Sequence, residues 1–338
     1  MTENVNPFEV SPVDDGESRA EVSLRPTSFP DFVGQSRVVE NLRIAIEAAK
    51  QREEVLEHVL FTGMPGLGKT TLSRLIASEM GVTIRETSGP VLKHGADLVG
   101  LLTNLQEGDV LFIDEIHRMS AEAEEYLYSA MEDFKVDLVV DRGPDARTFP
   151  LPLRRYSLVG ATTRAGLLSS PFRSRFGIFE KLDSYPEAEL AEIVTRSAGI
   201  LGAEITDEAA YELSRRARGT PRFANRFLRR IRDVAQLRAS SEGRSGPLRI
   251  DLDSVEEGLA RLGVDANGLD RVDRRILEIL LASGDRPIGV KTISVSVGEE
   301  ERTIEDVYEP YLIQRGLLIK TPRGRLATQL ADELLQTC

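Results

Sequence analysis

Gly63-Met64-Pro65-Gly66-Leu67-Gly68-Lys69-Thr70 follows the apolar stretch Val59-Leu60-Phe61 and precedes a helical pattern from Leu72 to Met80. The order is strand, glycine loop, helix, in the spacing G-x-x-x-x-G-K-[ST]. Glycines at these places let backbone N–H groups turn inward around a triphosphate, Lys69 reaches the outer phosphates and Thr70 offers a hydroxyl to Mg²⁺. The helix N-terminus adds a favourable dipole for the same anion. A nucleoside triphosphate is the ligand this stretch predicts. Chance alone yields the pattern in roughly one chain in a hundred of this length, and the context lowers that further. Val110-Leu111-Phe112-Ile113-Asp114-Glu115 reads as a buried parallel strand ending in two carboxylates, where a second metal-site element should stand.

Phosphoryl transfer to water needs a phosphate cradle with Mg²⁺, a group that positions water, and positive charge on the transition state. Asp114 is expected in the Mg²⁺ shell and Glu115 beside the attacking water. Ser157–Ala161 reads as another strand, followed by Thr162-Thr163-Arg164, and a polar residue there can sense the outermost phosphate. Thr163 is favoured over Thr162. Arg173 and Arg175 lie in the turn-like Ser170-Pro171-Phe172-Arg173-Ser174-Arg175-Phe176-Gly177. An arginine so held can be offered to a neighbouring subunit's nucleotide, which predicts a ring, or it is a surface arginine. Gly219-Thr220-Pro221-Arg222 opens a helix with proline in its first turn, placing Arg222 where it could lean over the nucleotide.

The 338 residues are 41% hydrophobic and 29% charged, which fits a globular chain of two or three domains. No apolar run approaches the roughly 20 residues of a membrane helix, and the first thirty residues lack a basic start with an apolar core. A cytoplasmic protein without a membrane partner is expected. The single cysteine, Cys338, excludes a disulfide within one chain, and the three histidines form no ligand spacing. A net charge of −12 argues against coating nucleic acid non-specifically. Two basic stretches depart from it: eight arginines between Leu213 and Arg232, and Arg315, Lys320, Arg323 and Arg325 between Pro310 and Ala331, neither containing an acid. Such stretches point to specific anion sites.

Residues 1–22 read as a flexible acidic tail. Alternating helix-like and strand-like segments over 23–185 predict an α/β domain with a parallel sheet: helices at Val38–Gln51, Thr70–Met80 and Ala121–Asp133, strands at Val59–Thr62, Val82–Glu86, Val110–Ile113 and Ser157–Ala161. Lys135–Val140 and Thr148–Leu153 read as arms of a hairpin about Gly143-Pro144, either a solvent-covered excursion or a partner or DNA contact. After Tyr185-Pro186 the strands are expected to stop, leaving a small helical lid over 186–262 with helices Glu187–Leu201, Asp207–Arg218, Pro221–Ser240 and Leu252–Leu262. Residues 263–338 read as helices Asp270–Ser283, Val290–Val297 and Glu301–Arg315, then strand-like Leu317–Lys320 and Arg325–Thr328 around Pro322-Arg323-Gly324. That layout is a winged helix or a generic helical cap.

These residues resemble AAA+ ATPases, and among them the family of RuvB-type Holliday junction branch-migration motors, over nearly the whole chain. The resemblance is carried by Leu24-Arg25-Pro26, Phe32-Val33-Gly34-Gln35, Gly63–Thr70, Asp114-Glu115-Ile116-His117, Gly160–Gly166, Arg173–Gly177, Gly219–Arg222 and Thr321–Arg325. Of these, Ala161–Gly166 and Thr321–Arg325 are the more specific. The family implies an ATP- and Mg²⁺-dependent homohexameric ring on duplex DNA, drawing the arms of a four-way junction beside a tetrameric RuvA-type partner, with a RuvC-type resolvase in the larger complex. It implies that Leu24 and Arg25 bracket the adenine and that Gly66, Leu67, Gly68, Lys69, Thr70 and Thr71 hold phosphates. Glu132, Asp133 and Phe134 would stand near a neighbour's nucleotide, Arg175 would be the finger supplied in trans, and Tyr185 and Arg222 would close the site. The 135–153 hairpin would meet the RuvA-type partner, and Lys320, Arg323 and Arg325 would hold DNA. Glu301 stands where family members often carry arginine, which leaves Arg302 as the candidate from that helix. A sliding-clamp loader subunit shares the loop, the acidic strand end and the Ser-Arg motif but ends in a helical collar, and a DNA-binding regulator would use the fold only as a switch.

Overall fold

The computed structural model describes residues 23–139, 148–241, 243 and 246–336. The acidic tail, the hairpin tip at 141–147 and Cys338 lie outside the described residues. In chain order the elements are α1 (Ser36–Gln51), β1 (Val59–Thr62), α2 (Lys69–Met80), β2 (Ile84–Ser88), α3 (Gly95–Thr103), β3 (Val110–Asp114), α4 (Ala121–Glu132), β4 (Lys135–Val139), β5 (Thr148–Pro152), β6 (Ser157–Thr162), α5 (Ser170–Arg173) and β7 (Ile178–Lys181). They continue with α6 (Glu187–Ile200), β8 (Ala203–Ile205), α7 (Asp207–Arg216), α8 (Pro221–Ser241), β9 (Leu248–Ile250), α9 (Leu252–Arg261), α10 (Arg271–Ala282), α11 (Val290–Val297), α12 (Glu301–Thr303), α13 (Glu309–Gln314), β10 (Leu318–Thr321), β11 (Gly324–Ala327) and α14 (Gln329–Gln336). Two compact units result, one of Pro26–Gly63 with Leu67–Asp183, the other of the described residues from Ser184 onward with 23–25 and Met64–Gly66. Among the described residues no helix is long and apolar enough to cross a membrane.

The first unit is built on a five-stranded parallel sheet in the order β2-β3-β6-β1-β7. Its central strands read as continuous apolar runs because both faces are covered, and β6 is buried along its whole length. β6 enters between β3 and β1, pairing Val110 with Ser157 on one side and Thr62 with Thr162 on the other. β2 begins at Ile84, two residues later than the sequence pattern indicates. Helix α3 and edge strand β7 were not expected from periodicity; α3 starts with a capping box between His94 and Asp97.

β4 and β5 form the expected antiparallel arms, in register from Lys135 opposite Pro152 to Val139 opposite Thr148. Buried Val136 anchors the base in the core around Leu127, Tyr156 and Phe172. His58 ties this base to the sheet. The Leu158 N–H donates to its Nδ1 at 2.9 Å, so Nε2 carries the hydrogen and donates to the Met131 carbonyl at 3.2 Å.

In the second unit the strands do not stop at Tyr185, contrary to the alternation in the sequence. β8 and β9 pair in parallel over three residues, Ala203 with Leu248 through Ile205 with Ile250; neither is long enough to declare itself by period. α7 and α9 begin at Thr206 and Asp251, whose side chains accept the Ala209 and Ser254 N–H groups. The C-terminal part is a winged helix: α10 and α11, a helical stretch from α12 to α13, then a hairpin pairing Leu318–Thr321 with Gly324–Ala327. Ile288 forms an isolated antiparallel bridge with Arg325 beside this hairpin. The expected helix over 301–315 is interrupted by a π turn at Ile304–Tyr308, where the Glu309 N–H reaches the Ile304 carbonyl. Pro310 follows and supplies no N–H, which favours such a slip. The closing helix α14 was not expected.

Arg218 joins the lid to the winged helix. Its guanidinium is 1% exposed, pairs with Asp273 and, at 3.8 Å, with Asp270, and lies 4.9 Å over the Tyr311 ring. Asp270 and Asp273 also form the capping box of α10, so one cluster ends a linker and starts a helix. Burial pushes the Asp273 carboxyl up, to about 8, against the pull of Arg218.

Burial holds the His58 imidazole below its ordinary value of 6.5. Below that value the unfolded chain takes up a proton that the folded chain refuses, so stability present above it is lost as the pH falls. Denaturant midpoints measured from about pH 8 down to about pH 5.5 should fall most below pH ~6.5, and His58→Gln should flatten that part of the decline.

Candidate functional site

The loop between β1 and α2 turns through Gly66 at φ 83° and Gly68 at φ 103°, conformations costly to residues with a Cβ. No side chain caps α2, so its first turn presents backbone N–H groups and the positive end of the dipole. Lys69 is buried, and its Nζ donates to the Gly63 carbonyl at 2.8 Å, bending the ammonium back over the loop. Leu67 is packed in the interior, while Gly68, Thr70 and Thr71 are half-buried at the loop's end. This is an anion cradle with a cation inside it.

Because β6 lies between β1 and β3, three chemical elements meet at neighbouring strand ends of this unit: the loop after β1, Asp114 and Glu115 after β3, and Thr162-Thr163 after β6. Asp114 Oδ1 accepts the Glu115 N–H at 2.9 Å. Thr162 is buried, with Oγ1 taken by the Arg164 N–H and by His117, whereas Thr163 is half-buried. The Thr70 hydroxyl and the Asp114 carboxylate are hard oxygen donors of the kind Mg²⁺ accepts together with water and phosphate, so these residues fit that ion.

Arg175 is held within its own unit. Its Nη1 donates to the Pro171 carbonyl at 2.6 Å, Nη2 pairs with Glu132 at 3.2 Å, and the guanidinium lies 4.5 Å over the Tyr128 ring with the side chain 19% exposed. Tyr128 is itself fixed, since its hydroxyl donates to Glu124 at 2.6 Å and meets Ser169. Asp133 pairs with Lys135, and Phe134 packs edge-on against Tyr156 beneath Arg155. Tyr128 and the pairing of Glu132 with Arg175 were not expected from the sequence, where the four-residue spacing of Glu124, Tyr128 and Glu132 is the signal that carries them.

In the second unit, Leu24 is buried and its carbonyl accepts a hydrogen bond from Arg196. Arg25 stands next to it in the chain. The Tyr185 N–H donates to the Gly219 carbonyl at 2.9 Å, setting the turn that starts α8. Arg222 lies close enough to the loop tip that a Cβ added to Gly66 would come within 2.7 Å of the Arg222 Cβ.

The wing does not present its basic residues as expected. Arg325 is 7% exposed, with Nε 2.5 Å from Glu309 and Nη2 2.9 Å from Glu305. Lys320 pairs with the same two acids, at 3.1 and 3.5 Å, and Arg302 pairs with Asp306. Arg323, at the tip between β10 and β11, is exposed. The absence of acids within 310–331 concealed this pairing, because its partners lie just upstream in the π turn and α13.

Residues 24–182 match the family described as the Holliday junction DNA helicase RuvB P-loop domain, 185–265 the RuvB AAA lid domain, and 266–336 the RuvB C-terminal winged helix domain. The chain belongs to the RuvB family. The Holliday junction branch migration complex subunit RuvB of Nitratidesulfovibrio vulgaris (strain DP4) is 54% identical over 310 residues, covering 91% of this chain and 95% of the relative. That of Prosthecochloris aestuarii is 54% identical over 322 residues, covering 95% and 92%. The solved Thermotoga maritima RuvB Holliday junction branch migration motor superposes with a TM-score of 0.82 at 47% identity, over 93% of this chain and 98% of that one. A RuvB-family P-loop ATPase domain implies nucleotide binding, and the loop at 63–70 lies within the residues matched to it.

Gly66→Ala in this RuvB-family chain places a Cβ both in the left-handed region and against Arg222. A fluorescent ATP analogue should bind about tenfold more weakly, and thermal melting should fall by a few degrees, about 2–4 °C per kcal/mol of strain.

Proposed function

We propose that this chain is an ATP-driven DNA motor that forms a homohexameric ring on duplex DNA and drives branch migration of four-way junctions beside a RuvA-type partner, with a RuvC-type resolvase in the larger complex. The observation that carries this is the meeting of the loop, Asp114-Glu115 and Thr163 at adjacent strand ends in a chain that also carries a winged helix. The winged helix also disfavours the clamp-loader alternative, whose C-terminal part would be an all-helical collar. A cytoplasmic location accords with work on DNA.

Lys69 and the N–H groups of the loop bind the phosphates of ATP, and Thr70 with Asp114 would hold Mg²⁺. Bound there, Mg²⁺ would supply positive charge that offsets the charge developing on the phosphates. Glu115 orients the attacking water and takes its proton, and Thr163 senses the outermost phosphate from the end of β6. Arg222 leans over the loop from the start of α8, and Leu24, Arg25 and Tyr185 line the adenine side. Arg175 acts on a neighbour's nucleotide, with Glu132, Asp133 and Phe134 beside it. The hairpin, with Phe149 exposed on β5, is offered to the RuvA-type partner. Of the DNA candidates, Arg323 is the most available, and Lys320 and Arg302 must exchange an acid for a phosphate. Arg325 is assigned instead to holding the wing. Contacts so few per subunit make DNA affinity a ring property that falls steeply with salt and carries no sequence preference.

The deciding experiment is dissociation of a fluorescent synthetic four-way junction by the purified chain with ATP and Mg²⁺, with and without a RuvA-type protein, against Lys69→Ala as the blank. Partner-enhanced, ATP-dependent migration is expected; DNA-stimulated ATPase without junction movement would favour clamp loading. Arg175→Ala should leave nucleotide affinity intact and lower ring turnover by about a thousandfold. In mixed rings the loss should fall on the pocket of the subunit next to the altered one, and loss confined to the altered subunit's own pocket would contradict the trans assignment.

A further inference from the structure

Glu115 is constrained in backbone and side chain by separate groups. Its backbone is left-handed at φ 48°, an uncommon state for a residue with a Cβ. Gly89 presses on it so closely that a Cβ there would sit 2.3 Å from the Glu115 carbonyl oxygen. That carbonyl accepts the Arg118 N–H at 2.8 Å, and the Glu115 N–H is held by Asp114. The backbone being fixed, the carboxylate is the part that can be re-aimed.

The side chain that meets it is His117, which is 2% exposed and whose Nε2 lies 3.3 Å from Glu115 Oε2. The other ring nitrogen, Nδ1, lies 2.8 Å from Thr162 Oγ1. Thr162 Oγ1 accepts the Arg164 N–H at 2.9 Å and keeps its own hydrogen and a second lone pair for the contact with Nδ1, so the nearby Glu115 carboxylate decides between the two tautomers. The imidazole then carries its own hydrogen on Nε2, which lies near the carboxylate but without the alignment of a full hydrogen bond. The opposite tautomer would set a lone pair against a negative charge.

We propose that His117 is a positioning residue that aims the Glu115 carboxylate and couples it to the end of β6. The proposal rests on the role of Glu115 given above. Thr162 is the neighbour of Thr163, so a shift of the strand end on sensing the outermost phosphate moves the hydroxyl, the imidazole and the carboxylate together. If His117 only filled space beneath β6, its loss would lower stability and leave turnover per folded molecule unchanged.

The test uses the full chain with duplex DNA, Mg²⁺ and ATP, reading turnover, binding of a fluorescent ATP analogue and thermal melting. His117→Ala should lower kcat by about tenfold or more, within the ~100-fold that a misplacement of about 1 Å costs, with KM and analogue affinity little changed. His117→Gln should restore part of the rate, because its amide can donate from a similar reach. The double variant with Glu115→Gln should be no slower than Glu115→Gln alone, since two groups acting as one unit are not additive. Thr162→Val should lower kcat in the same direction and serves if His117→Ala does not fold. An unchanged kcat in folded His117→Ala or Thr162→Val, beside an inactive Glu115→Gln, overturns the proposal alone. Normal turnover by Glu115→Gln overturns the role of Glu115 and the proposal with it.

Discussion

The insertion of β6 between β1 and β3 is the constraint on which the nucleotide site depends. Parallel pairing aligns the three strands so that their C-terminal ends lie side by side, and each end carries a different group: a cradle of N–H donors with Lys69, a pair of carboxylates, and a threonine pair. Residues separated by nearly a hundred positions become neighbours because the strands are apolar on both faces and find burial only inside the sheet. The chemistry is local to each strand end, whereas the site exists only through their order.

Around this frame, buried polar groups hold geometry that apolar packing would leave loose. His58 links α4 to β6 at the foot of the hairpin, His117 links β6 to Glu115, and Arg218 links the lid to α10. Each contact is directional, and each penalises its own rearrangement because burying a polar group away from its partner is costly. Glu305 and Glu309 do the same in the wing, turning Arg325 into an internal strut. The basic residues of this wing are thus divided between those paired with acids and Arg323, exposed at its tip.

Much of this was legible in the order of residues. The loop Gly63–Thr70, the acidic strand end at Asp114-Glu115, the hairpin arms at 135 and 148 and the Pro322-Arg323 turn each depend on short-range rules of glycine, proline and apolar period. What escaped were features whose signal is too short or too distant. β8 and β9 have three residues each and exist by pairing across a long separation. The π turn directly precedes Pro310, whose missing N–H favours it. Arg175 could be named from its turn, yet its stacking on Tyr128 and its pairing with Glu132 cross from α5 to α4.

By itself the sequence determined the class of chemistry and the domain order, because a phosphate loop, a strand ending in acids and a winged helix are each written in contiguous residues that obey local steric and hydrophobic rules. Only the tertiary structure decided which threonine meets His117, that an imidazole stands beside the Glu115 carboxylate, and that Arg325 faces inward while Arg323 faces out. Those choices depend on distances between segments far apart in the chain, and charge or composition along one segment does not record where its partner stands.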